Sequence, residues 1–271
     1  MEDKKKLLIA LGCSLTEGVG CYDINIIPPE CFSDNQLFFQ PKYSHLYNAS
    51  LDRFHQNSWP SVLGKKLNYH KVLNLGLGGS STSGQFKIFL DKYEDEIFEE
   101  YDVALMWFLS EPSRLSYYSG GIVRNSITTR TKTNGKFEQG YIENIEDIIV
   151  DPLLEQLTYV KAMAEICNNR KWEYIVMHHD LQFIHYIKKL NQKPYWLFGN
   201  WYTNFSDETY SPVCMHPNEK GYEFIAQVMF DELMKYKPHI LNKGEKVETE
   251  LEWNGQSKYY NSAKLHSKTL I

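Results

Sequence analysis

A serine near the start of this chain and a histidine near its end are the two side chains whose settings best suit chemistry in common. Ser14 follows the apolar run Leu7-Leu8-Ile9-Ala10-Leu11 and the step Gly12-Cys13. His216 stands just ahead of Pro217-Asn218, where a helix opens. A hydroxyl and an imidazole are the parts of a nucleophile and its general base. Each also has a plainer reading. Ser14 would serve as a cap for the segment that follows it, and His216 as a helix cap or a core histidine. A third feature lies between them, the run Gly76-Leu77-Gly78-Gly79-Ser80-Ser81-Thr82-Ser83-Gly84. Glycines in such a run permit backbone angles that point several N–H groups into one space. That suits a phosphate or the oxyanion of an acyl-transfer reaction. The run lacks the Gly-Lys-Ser/Thr ending of a phosphate loop, which favours the oxyanion.

Two further clusters qualify as candidates. Leu109-Ser110-Glu111-Pro112-Ser113-Arg114 follows another apolar run. Glu111 and Arg114 are close enough to pair at the surface or to serve a site. His178-His179-Asp180 ends a fourth run, but adjacent histidines on a regular element point apart, which argues against a shared metal.

These residues need elements to hold them. Continuous apolar runs read as buried parallel strands. Such runs occur at 7–11, 71–75, 103–108 and 172–177, with a short one at 195–198. Helices are expected over 58–67, 85–100 and 148–168, and from Asn218 to about Tyr236. The alternation predicts a three-layer α/β/α, flavodoxin-like sandwich with a mostly parallel five-stranded sheet. Ligands in such sheets bind at the C-terminal ends of the strands, where Ser14, the glycine run and Ser110 all fall. One domain is expected over 1–238. It carries an extended loop inserted at about 20–57 and a second insertion at about 115–147, with a hairpin around Thr133-Asn134-Gly135-Lys136. Residues 239–271 read as a polar C-terminal tail that is unordered alone or docks on a protein partner.

Bulk properties narrow the class. The chain has 271 residues, 42% hydrophobic and 23% charged, with a net charge of −5, which argues against nucleic acid as the partner. Five cysteines, an odd number without C-x-x-C spacing, argue against a disulfide framework and a zinc site. No cofactor or metal is implied. No signal peptide is evident and no apolar stretch reaches membrane-spanning length. A cytoplasmic or virion-associated protein is therefore expected, without membrane contact. The 19 Tyr and 6 Trp suit flat contacts with sugars or protein surfaces as well as a full core.

In order and local sequence, these motifs resemble the SGNH/GDSL hydrolase superfamily over roughly residues 5–237. Gly12-Cys13-Ser14-Leu15-Thr16-Glu17-Gly18 resembles that family's first block, Gly-Asp-Ser-x-Thr-x-Gly, with Cys13 in place of Asp. Asn74-Leu75-Gly76-Leu77-Gly78-Gly79-Ser80 resembles the second block, and His216-Pro217-Asn218-x-x-Gly221-Tyr222 the fifth. The resemblance implies Ser14 as nucleophile, His216 as base, and Gly79 as an oxyanion-hole glycine beside the Ser14 N–H. It is not the nucleophile elbow of α/β-hydrolases, because Thr16 stands where that motif needs its last Gly.

Two positions depart from the family pattern. The third-block Asn falls on Ser110 or Glu111. A serine can donate to an oxyanion, and a glutamate only when protonated. The triad Asp, three residues before the histidine, is Val213. Asp207 or a backbone carbonyl is left to orient His216. The resulting expectation is a serine esterase or deacetylase acting on a small-molecule or carbohydrate ester, O-acetylated sugar included. The alternative is an inactive SGNH-like domain that binds carbohydrate or serves as a structural part of a larger assembly, such as a phage particle.

Overall fold

Strand β1 (Lys5–Leu11) lies inside the sheet because its second half has nothing that needs water: from Leu7 to Leu11 no side chain is more than 1% exposed. Burying a side chain such as leucine contributes about 1.5–3 kcal/mol, so this strand anchors the fold. The computed structural model describes residues 4–33, 41–93, 98–110, 115–119, 122–127, 150–178, 195–198, 207–214 and 216–253. The remaining strands are β2 (Lys71–Asn74), β3 (Tyr101–Phe108), β4 (Leu115–Ser119), β5 (Ile122–Ile127), β6 (Glu173–His178), β7 (Tyr195–Phe198) and β8 (Glu250–Trp253). Six of them form one sheet in the order β7-β6-β3-β1-β2-β8, and every pairing in it is parallel.

The helices, in chain order, are α1 (Ser14–Glu17), α2 (Glu30–Ser33), α3 (Ser44–Ala49), α4 (Leu51–Asn57), α5 (Trp59–Lys66), α6 (Thr82–Lys92), α7 (Val150–Arg170) and α8 (Glu219–Tyr236). Alternate residues of a strand face opposite layers, and the two cores divide accordingly. Leu7, Ile9 and Leu11 pack with Ile88 and Phe89 of α6 and with Val160 and Met163 of α7. Leu8 and Ala10 pack with Trp59 and Leu63 of α5 and with Ile225 and Met229 of α8. The result is the expected three-layer α/β/α sandwich. Among the described residues no helix is long and apolar enough to cross a membrane.

The five strands expected from apolar runs all lie in this sheet. The chain passes from β1 outward to β2, then returns across β1 to β3 and continues to β6 and β7. The order therefore reverses at β1, and the crevice at such a reversal, beyond the strand C-termini, is where these folds take ligands.

Two expectations need correction. Residues 20–57 are not an extended loop, since short helices occupy 30–33, 44–49 and 51–57. With at most seven residues each, they are too short to show an apolar period. Phe54, Leu46 and Tyr43 nonetheless join the core on the α5 side, and Phe54 meets Tyr22 edge-on at 4.8 Å between ring centroids. In the second insertion β4 pairs antiparallel with β5; the hairpin expected around residues 133–136 lies outside the described residues. The tail is not wholly separate from the fold either, because β8 pairs with β2. Asn68, in the left-handed region at φ 59°, clasps the approach to β8. It accepts from Val247 N–H at 2.9 Å, donates to Glu245 C=O at 3.0 Å, and its carbonyl accepts from the Asn242 amide at 2.8 Å. Lys71 then pairs with Glu250 and Glu252.

Candidate active site

Ser14 reaches the rim of the sheet on a tight turn. After β1 the chain bends at Gly12, where a Cβ would lie 1.9 Å from Thr16 Oγ1. The single-turn helix α1 begins at Ser14, and the N–H groups of Thr16 and Glu17 both bond Cys13 C=O, at 2.9 and 3.0 Å. Gly18 ends the turn at φ 97°, a left-handed value that suits glycine. Tyr222, from α8, donates its hydroxyl to Val19 C=O at 2.7 Å and fixes the exit.

His216 arrives from the other end of the chain on a short folded-back segment. Tyr210 and Pro217 form an isolated antiparallel bridge. Ser211 N–H bonds His216 C=O at 2.8 Å, and Asn218 N–H bonds Thr209 C=O at 2.9 Å. The Asn218 side chain caps α8 by accepting from Gly221 N–H at 3.1 Å. It also donates to Glu208 and Tyr210 carbonyls at 2.7 and 3.0 Å. This segment crosses the Ser14 turn backbone against backbone at Gly20. A Cβ there would sit 2.1 Å from Pro217 O and 3.0 Å from His216 Cβ.

The outcome is a contact of 2.8 Å between Ser14 Oγ and His216 Nε2, across 202 positions of sequence. That is within reach for proton transfer. Ser14 is 9% exposed and His216 is half-buried, so both are sheltered without being sealed in packing.

The glycine run after β2 passes beside them. Leu75 and Leu77 N–H groups bond Ala10 and Gly12 carbonyls at 2.8 and 3.0 Å. Asn74 ties the run to the Ser14 turn: its Oδ1 accepts from Gly76 N–H at 2.9 Å and its amide donates to Thr16 C=O at 2.8 Å. Gly79 has φ 76°, a value where other residues are strained. A Cβ on Gly78 would be 3.8 Å from Ser14 Cβ, which places this run against Ser14.

Ser110 sits differently from an oxyanion donor. It is 2% exposed and gives its hydroxyl proton to Ser80 C=O at 2.7 Å while accepting from Gln85 Nε2 at 2.6 Å. A serine has one proton to donate, and here it is engaged inside the protein. Gln85 accepts in turn from Trp107 Nε1 at 2.6 Å, and Gln156 donates to Ser110 C=O at 2.7 Å. Ser110 thus belongs to a buried amide network that braces the glycine run.

Glu111 and Arg114 lie outside the described residues, as does the Asp207 side chain, although Asp207 begins a short 3-10 turn. Val213 is fully buried and offers no carboxylate. His178 is buried at the end of β6, and His179 lies outside the described residues. Among the described residues, no group of three His, Cys, Asp or Glu is arranged to hold a metal.

One acidic residue went unremarked in the sequence. Glu17, one turn after Ser14, is 2% exposed. Its Oε2 accepts from Gly78 N–H at 2.6 Å, and its Oε1 accepts from the Tyr47 hydroxyl. Burial raises its carboxyl from 4.5 to about 7, against the lowering effect of those two hydrogen bonds. Its spacing from Ser14 was visible in the sequence. The burial was not, because it depends on the close approach of Gly76, whose Cβ would lie 2.4 Å from Glu17 N.

No family model matches the chain, and no curated protein matches it. Solved structures do. One is a protein of the lipolytic G-D-S-L family from Desulfitobacterium hafniense DCB-2, with 16% identity and a TM-score of 0.45, covering 84% of this chain and 99% of that one. Another is a family two carbohydrate esterase from Clostridium thermocellum, solved in complex with cellohexaose. It has 11% identity and a TM-score of 0.44, covering 89% of this chain and 67% of that one.

Proposed function

We propose that the chain is a serine ester hydrolase of the SGNH type, removing small acyl groups, with O-acetylated carbohydrate as its substrate class. The observation that carries this is the 2.8 Å contact between Ser14 Oγ and His216 Nε2 at the point where the strand order reverses. In this reading His216 Nε2 takes the Ser14 proton as Oγ attacks the ester carbonyl carbon. The tetrahedral oxyanion is met by the Ser14 and Gly79 N–H groups. Collapse breaks the carbon–oxygen bond, and His216 returns the proton to the departing alcohol. Water, deprotonated by His216, then attacks the acyl-serine and releases the acid and free Ser14. This reading supplies two backbone donors and no third-block Asn, and one missing donor costs on the order of 10²–10³ in rate. A modest esterase is expected. The sugar assignment rests on the family resemblance.

A fluorophosphonate probe, which reacts with activated serines, tests the reading. Wild type should gain one label, on Ser14, and lose p-nitrophenyl acetate hydrolysis as it does so. Ser14→Ala should take no label and turn over at background. A wild type that resists the probe and hydrolyses no faster than Ser14→Ala removes this reading and leaves a non-catalytic binding or structural role.

A further inference from the structure

The glycine run is useful to catalysis only if Gly79 N–H is held in place, and the hydrogen bonds show what holds it. Its start is tied by Asn74 and by the Ala10 and Gly12 carbonyls. Its end is braced by Ser110 and Gln85 at Ser80. The middle, Gly78, is bonded by a carboxylate from a different element, Glu17 Oε2 at 2.6 Å. Glu17 is itself gripped by Tyr47, from α3. A carboxyl at 2% exposure is a costly way to fill space. Here it is placed so that α1, four residues long, carries both the nucleophile and the group that fixes the backbone next to Gly79.

We propose that Glu17, oriented by Tyr47, is a positioning residue for the oxyanion turn: by holding Gly78 N–H it sets the aim of the adjoining Gly79 N–H at the acyl oxygen bound over Ser14. This rests on the hydrolase reading above. It also accounts for how a site without the third-block Asn keeps its remaining donors accurate. Glu17 touches no substrate, and its effect passes through the backbone.

The experiment compares Glu17→Ala, Glu17→Gln and Tyr47→Phe in the full chain, with Ser14→Ala as the control, using p-nitrophenyl acetate and amide hydrogen exchange. Glutamine keeps an oxygen to accept from Gly78 N–H and an NH₂ to face the Tyr47 oxygen. Small misplacements of reacting groups cost up to about 10² in rate. Glu17→Ala should therefore lose about 10–100-fold in kcat, with KM little changed and faster exchange at Gly78. Glu17→Gln should stay close to wild type in both. Tyr47→Phe should lose several-fold in kcat, and it carries the test if Glu17→Ala does not fold. The proposal is overturned if Glu17→Ala keeps wild-type kcat, or if Glu17→Gln falls as far as Glu17→Ala. It is overturned equally if a folded Tyr47→Phe is unaffected where Glu17→Ala is lost to misfolding. If wild type hydrolyses no faster than Ser14→Ala, the hydrolase reading has failed and this one goes with it; a Ser14-dependent rate that ignores Glu17 overturns this one alone.

Discussion

Replacing His216 with alanine is expected to cut kcat for p-nitrophenyl acetate by about 10²–10⁴-fold, the range supplied by a positioned general base. The chain should remain folded. His216 is half-buried on a segment whose shape comes from backbone bonds and from Asn218, not from the imidazole. Thermal unfolding should therefore move by only a few degrees, about what a loss near 1 kcal/mol produces. Fluorophosphonate labelling of Ser14 should slow in parallel with turnover, because both reactions require the Ser14 proton to leave. A His216→Ala protein that labels at the wild-type rate would mean that the 2.8 Å contact does not activate the hydroxyl. Stopped-flow kinetics and a melting curve on one preparation separate these results.

Stability should fall as pH rises from about 4.5 to about 7, with Glu17 responsible for the fall. Its carboxyl is raised from 4.5 to about 7 by burial. In that window the unfolded chain releases the proton while the folded chain keeps it. Fewer protons are then bound on unfolding, and stability declines with pH. The loss is complete above the folded value and absent below the unfolded one. At 1.36 kcal/mol per unit the group contributes about 3 kcal/mol in all. Other carboxylates move the opposite way. Glu173, for instance, lies below its ordinary value: burial raises it, but the His239 and Lys237 hydrogen bonds outweigh that. The clean measurement is therefore the difference between wild type and Glu17→Gln in urea unfolding at pH 5 and pH 8. Glu17→Gln should gain on wild type by about 2.5 kcal/mol over that interval. A constant difference would show that the carboxyl ionises in the fold as it does in water.

The parts of the site that the sequence revealed are those tied to a strand end or a helix start. Ser14 follows five apolar residues that could only be a buried strand, and His216 precedes a helix opened by Asn218, so both positions could be read locally. Their meeting could not, because it depends on Gly20 letting two distant backbones pass. Ser110 illustrates the reverse. Its place at the end of β3 was legible, but the direction of its proton was decided by Gln85 of α6 and Gln156 of α7, together with Trp107 of β3. Glu17 was hidden for the same reason. A glutamate in a loop block looks solvated until Gly76 and Gly78 are seen to close over it. The short helices between Glu30 and Asn57 gave no signal because two turns cannot establish a period. Strand β8 gave none because only Leu251 and Trp253 are apolar in it and its glutamates pair with Lys71.

That last strand changes where the folding unit stops. A protein shortened to the apparent end of its pattern, at residue 238, would strip β8 from β2 and leave the backbone N–H and C=O groups on that edge of Lys71–Asn74 facing water in a row. An exposed row of this kind is a template to which another chain can add. It would sit one strand away from β1, in the sheet that carries Ser14. Strand β8 covers that edge, so a shortened version of this domain that keeps the edge covered extends to Trp253.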